Sequence, residues 1–215
     1  TMKKFLTLAL SALLTMGLLT ACGGKTTDKT VDLTAFYNTL AEEYGFTFVG
    51  GHPMAGTEFS GIQHALVNMF HGAHYILTPD EGTQPEHLAL MERVARHLGC
   101  ADVVRTTPEQ HDAIIAYTSQ MMHIIAVSVC DDPMLFTCKG FEGSSFRGCT
   151  RVAALDVPLW TQLFSLNAPA LTQALETLED NLRLYRQVIQ SGDTRQLADK
   201  LAFSAARKRK MNQLE

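Results

Sequence analysis

The sequence predicts two architectures in succession: an α/β layer on a small parallel sheet, then an all-helical segment. Three observations carry this reading. Short β-branched and aromatic runs alternate with helical periods between Phe46 and Arg105. Thr107-Pro-Glu-Gln110 then opens a long helix with a capping hydroxyl, a first-turn proline and early acidity. After it the spacing of apolar residues is helical, with breaks at Asn167-Ala-Pro169 and Ser191-Gly-Asp193.

Each element has its own local cause. Val31–Tyr44 reads as a short amphipathic helix with Asp32 as its cap. Phe46–Gly51 reads as a strand, Phe59–Phe70 as a helical stretch, and Ala73–Leu77 as a second strand closed by Pro79. Pro85–Leu98 carries Leu88, Met91, Val94, Ala95 and Leu98 on one side and stops at Gly99. Ala101–Arg105 is the third strand, and strands joined through helices imply parallel pairing. The helix from Thr107 should run to about Cys130, followed by helices over Val157–Asn167, Pro169–Ile189 and Thr194–Lys210.

Composition narrows the function. With 215 residues, 46% of them hydrophobic and 19% charged, the chain can bury a core in one or two domains. A formal charge of −4 gives no electrostatic case for binding nucleic acid. The basic run Arg207–Lys210 sits at the end of the last predicted helix, where it complements the helix dipole.

The first two dozen residues read as targeting rather than fold. Lys3 and Lys4 precede an apolar run from Phe5 to Leu19 that ends in Leu19-Thr-Ala-Cys22-Gly23. This run is short for a membrane span, and it resembles a bacterial lipoprotein signal whose Cys22 is lipidated. Residues 25–45 would then form a polar tether and the short helix. Cys100, Cys130, Cys138 and Cys149, without any Cys-x-x-Cys, read instead as reduced thiols of a cytoplasmic protein. The leader and the body therefore imply different compartments.

Candidate chemistry concentrates in three segments. His52 is bracketed by glycines in Gly50-Gly-His-Pro-Met-Ala-Gly56, just after a predicted strand. Its imidazole could accept or polarise a hydroxyl proton, or simply be satisfied by backbone. Ser119 and His123 are four apart on the long helix, with His111 eight before Ser119, so the three share a face or form a set of satisfied core groups. In Gly140–Arg151 a Gly/Ser loop leads into a helix, and Arg147 and Arg151 can present planar forks to a carboxylate, although Arg147 could equally be a surface charge. His64, His71 and His74 could be drawn as a metal cluster, but Gly72 breaks their register and no carboxylate or cysteine completes it, so no metal is expected.

In order and spacing, Gly50–Gly61, Ser119-Gln-Met-Met-His123 and Phe146-Arg-Gly-Cys-Thr-Arg151 resemble the prephenate dehydrogenase family, over roughly residues 46–212. The resemblance implies a truncated Rossmann-like sheet over 46–107 and a helical substrate and dimerisation domain over 108–215. It implies a homodimer that oxidatively decarboxylates prephenate, an aromatic-pathway dicarboxylate, to 4-hydroxyphenylpyruvate in tyrosine biosynthesis, with NAD or NADP as hydride acceptor. His52 would be catalytic, Arg151 would grip a carboxylate, Ser119 and His123 would line the pocket, and Thr57 and Glu58 would shape its mouth. His111-Asp112 also matches and reads as structural.

Departures from the family pattern are specific. Met122 stands where a proline is usual, and Gly148 where an acidic residue is common. No Gly-x-Gly-x-x-Gly occurs, so cofactor-binding residues stay unassigned and impaired turnover is expected. A junction near Tyr44–Phe46 between a lipoprotein start and an enzyme end would explain the conflict of compartments. Two alternatives remain: a lipid-tethered module that binds an aromatic acid or dimerises without catalysis, and an arogenate dehydrogenase.

Overall fold

The computed structural model describes residues 33–57 and 61–213. The leader with Cys22, the tether, the Asp32 cap and Glu58 lie outside the described residues.

Helix α1, Leu33–Tyr44, leads into the sheet. Its Tyr37 ring stacks on Phe48 at 5.0 Å, and Asn38 Nδ2 donates to Asp80 at 2.7 Å. The sheet has three strands in the order β1 (Gly50–Pro53), β2 (His74–Thr78) and β3 (Asp102–Arg105). Between β2 and β3 lies α2, Pro85–His97, and this pair is parallel, as a crossover helix requires. Helix α2 starts with Pro85, ends in Arg96 and His97, and stops at Gly99, whose φ of +87° favours glycine. Glu92 on α2 is ion-paired to Arg105 on β3. Beneath them Leu77 is fully buried.

Two expectations fail on the β1 side. The sheet is mixed, because β1 runs antiparallel to β2 with His52 opposite Ile76. The helix expected over Phe59–Phe70 is also missing, and the described part of that stretch holds a single 3-10 turn, Ile62–His64. Ile62 and Val67 are exposed, so that segment has no packed face to support a short helix. No described helix crosses from β1 to β2, and the two strands pair antiparallel. Strand β1 also starts later than predicted, so His52 lies inside the strand rather than in the loop after it.

The helical half follows the sequence reading closely. Thr107 caps α3 (Pro108–Ile115) by accepting from Gln110 N at 3.2 Å. A π-helical turn, Ala116–Gln120, leads into α4 (Met121–Cys130), so one rod runs from Pro108 to Cys130. Its buried Ala116 and Met121 pack with Leu171 of a later helix, and Ile124, Ile125 and Phe164 close the cluster. Helices α5 (Ser144–Thr150), α6 (Val157–Leu166), α7 (Ala168–Ser191) and α8 (Thr194–Met211) complete the chain. Gly192 in the left-handed region ends α7, and the Asp193 carboxylate caps α8 by accepting from Gln196 N at 2.9 Å. Lys208, Arg209 and Lys210 occupy the last turn of α8. The four cysteines of the described segment are free, with Cys100 buried and Cys149 exposed.

Candidate active site

Strand β1 places His52, and the two glycines before it explain how. A Cβ on Gly51 would meet the Tyr75 ring at 2.8 Å, and one on Gly50 would collide with the Thr78 hydroxyl. Only glycine lets β2 side chains close over β1 here, which holds the following imidazole in a fixed register. His52 is half-buried, and its Nδ1 lies 2.9 Å from His111 Nε2 on α3. His111 Nδ1 is in turn 2.8 Å from Asp112 Oδ1. Burial first, and the neighbouring His111 second, hold the His52 pKa below its ordinary value of 6.5. At neutral pH its imidazole is therefore uncharged.

His123 is set by a different group. Its Nδ1 donates to the Ser119 carbonyl oxygen at 3.0 Å across the end of the π turn. Its ring lies flat on Trp160 of α6, with centroids 3.6 Å apart and planes 28° apart, and Trp160 in turn touches Phe164. Ser119 and His123 are both half-buried. Along the rod, His111 and His123 are separated by about 18 Å of helix rise. The residues the sequence grouped on one helix are thus distributed between a β1 end and an α6 end.

A polar network braces this rod from behind. Asn167, between α6 and α7, donates one amide hydrogen to the Asp112 carbonyl at 2.9 Å and the other to Gln120 Oε1 at 2.8 Å. The buried Gln120 passes its own amide to the Leu163 carbonyl at 3.3 Å. Those bonds tie α3 and the Gln120 end of the π turn to α6.

Arg151 opens the 3-10 turn Arg151–Ala153 directly after α5, and it is exposed, as is Arg147 one helical turn earlier. The Gly/Ser segment before them is held by Glu142, which accepts from Gly140 N at 2.6 Å. Thr57 is exposed in the loop after β1. His64, His71 and His74 are exposed, and among the described residues no three metal-ligating side chains converge. Two surface depressions, of about 280 and 450 Å3, are lined by Arg93, Val94, His97 and Leu98 and by Glu179, Leu182, Arg183 and Arg186, away from every predicted site residue.

Sequence reasoning missed two participants. Trp160 is the chain's single tryptophan, but nothing in its spacing ties it to His123. His111-Asp112 was visible as a pair, yet its contact with His52 spans 59 positions and has no local signature.

Comparisons with known proteins agree with this layout. A model of the prephenate dehydrogenase nucleotide-binding domain matches residues 27–104, and one of the prephenate dehydrogenase dimerization domain matches residues 107–203. The sheet unit and the helical unit are thus consecutive domains of one dehydrogenase architecture. Prephenate dehydrogenase of Bacillus subtilis is 31% identical over 149 residues, 67% of this chain and 39% of that protein. Cyclohexadienyl dehydrogenase of Zymomonas mobilis is 32% identical over 151 residues, 67% of this chain and 51% of that protein. The crystal structure of Aquifex aeolicus prephenate dehydrogenase, solved with hydroxyphenyl propionate and NAD+, superposes with a TM-score of 0.70 at 30% identity. That match covers 81% of this chain and 62% of the other. The chain belongs to the prephenate dehydrogenase family. It spans between 39% and 51% of the length of these two curated relatives.

Proposed function

We propose that this chain carries the substrate-handling part of a prephenate dehydrogenase, which oxidatively decarboxylates prephenate to 4-hydroxyphenylpyruvate with NAD or NADP taking the hydride. The observation that supports it most is His52, an imidazole kept neutral by burial and by His111 inside the segment that carries the family likeness. In this reading the neutral ring accepts the C4 hydroxyl proton while hydride leaves C4 and carbon dioxide departs. The Arg151 fork pairs with a substrate carboxylate. Ser119 and His123 line the ring pocket, and Thr57 stands at its mouth.

Among the described residues, the β2–α2 turn does not fit a dinucleotide pyrophosphate. The β2–α2 turn, where a helix N-terminus could meet phosphate, instead carries Asp80. Hydrogen bonds from the Thr83 hydroxyl and from Asn38 hold its carboxyl below the usual carboxylate range. That negative charge repels phosphate. The chemistry assigned to this chain's own residues is therefore confined to the substrate and its proton.

Calorimetry of the 215-residue chain with prephenate, arogenate and 4-hydroxyphenylpyruvate tests the reading. Binding of prephenate and 4-hydroxyphenylpyruvate is expected, with no dehydrogenase turnover by this chain alone. Binding of none of the three would remove it, and a preference for arogenate would reassign the substrate to the amino form.

The helical domain, in the same reading, pairs two copies of the chain. Exposed Leu182, Leu184 and Ile189 on α7 and Leu201 and Phe203 on α8 supply apolar surface for that purpose. Residues 1–24 act as a lipoprotein-like leader lipidated on Cys22, which would anchor at a membrane a domain whose free thiols suit the cytoplasm. Labelled palmitate entering the protein in a bacterial host, and lost in Cys22→Ser, is the expected result; label retained in that variant would sink the leader.

A further inference from the structure

His111 and Asp112 stand outside the substrate contacts assigned above, yet they sit in line behind His52. We propose that His111 and Asp112 are positioning residues that lock His52 in the tautomer protonated at Nδ1, so that Nε2 is presented to the substrate as a proton acceptor. The argument is one of donors and acceptors. A carboxylate only accepts, so the 2.8 Å contact from His111 Nδ1 to Asp112 Oδ1 requires the proton on His111 Nδ1. A neutral His111 then has a lone pair on Nε2. That lone pair faces His52 Nδ1 at 2.9 Å, so His52 must donate from Nδ1. Its remaining nitrogen, Nε2, is left as the basic one.

The surrounding structure makes the line rigid. Register with Ile76 fixes His52 on β1, and the Thr107 cap fixes the first turn of α3 that carries His111. Asn167 holds the Asp112 carbonyl, so the backbone bearing the carboxylate is tied to the α6–α7 junction. The arrangement extends by one imidazole the way an aspartate fixes the tautomer of a catalytic histidine in hydrolytic triads. Opposite polarity would disable the base: if His111 donated from Nε2, His52 would carry its proton on Nε2 and offer no lone pair to a hydroxyl.

The proposal rests on His52 as the base, but the test reads the tautomer itself. Two-bond proton–nitrogen correlation spectra of the full 15N-labelled chain, recorded above the imidazole titration range, distinguish a protonated ring nitrogen from a bare one. Assignments come from His52→Asn and His111→Asn. The expected spectrum shows His52 with a protonated Nδ1 and a bare Nε2. In Asp112→Asn, whose amide can donate to His111 Nδ1, the His52 proton should move toward Nε2. Asp112 is exposed, so this variant is expected to fold, and circular dichroism checks it. His52 protonated on Nε2 in the parent chain, or an unchanged tautomer in Asp112→Asn, overturns the proposal. Because the spectrum needs no turnover, its outcome is separate from whether His52 is the base.

Discussion

The His123 imidazole lies flat on the Trp160 indole, 3.6 Å between centroids, while its Nδ1–H is spent on the Ser119 carbonyl. The contact joins α4 to α6 through faces rather than edges, and it leaves His123 Nε2 free of that bond. A double-mutant cycle with His123→Ala and Trp160→Ala should give a coupling of about 0.5–1.5 kcal/mol in urea unfolding. Coupling indistinguishable from zero would show that the rings are merely adjacent. Since Trp160 is the only tryptophan, its emission should also report 4-hydroxyphenylpyruvate binding beside His123.

Acid should weaken the fold through His52. Its folded pKa is below the ordinary 6.5, so between those two values the unfolded chain binds the extra proton. Stability then rises with pH across that window and is lost as pH falls from about 6.5 through the lowered value. His52→Asn should flatten this part of a stability–pH curve measured by thermal unfolding. An unchanged slope in the variant would place the titration elsewhere.

The proposed role of Arg151 can be tested through the shape of its cation. Arg151→Lys keeps the charge and loses the bidentate fork, so affinity for prephenate or 4-hydroxyphenylpyruvate should fall by about 2–5 kcal/mol if the pair is desolvated. Equal calorimetric affinity in parent and variant would take Arg151 out of the site.

Leu77 and Phe203 should respond differently to protein concentration. Leu77 is fully enclosed within the sheet unit, so Leu77→Ala should cost about 2–5 kcal/mol at any concentration. Phe203 is exposed on α8 with the Arg207 guanidinium over its ring, and its replacement by Ala should matter chiefly where two copies meet. Sedimentation should show Phe203→Ala dissociating at higher concentration than the parent; identical association would move the interface off α8.

Helical periods were legible where the local signals along a helix agree with one another. Pro108–Cys130, Ala168–Ser191 and Thr194–Met211 lie within a residue or two of their sequence boundaries because cap, period and stop all agree. The polarity of β1 was not legible, since it is set by long-range pairing with β2 and by no local period. For the site, the glycine-flanked His52 and the His123 spacing could be read locally. The partners of each, His111 across 59 positions and Trp160 across a helix pair, arise from packing that no periodicity encodes.

The π turn at Ala116–Gln120 settles where the two ends of the rod point. An α-helix rotates by about 100° per residue, so twelve residues would leave His111 and His123 about 120° apart. One residue absorbed in a π turn reduces that to about 20°. The alignment of the two histidines is therefore a matter of residue count, not of residue type. Removing a single residue from this turn would yield an uninterrupted α-helix with both rings still on one side. Adding one would swing His123 and everything after it away from the side that His111 faces.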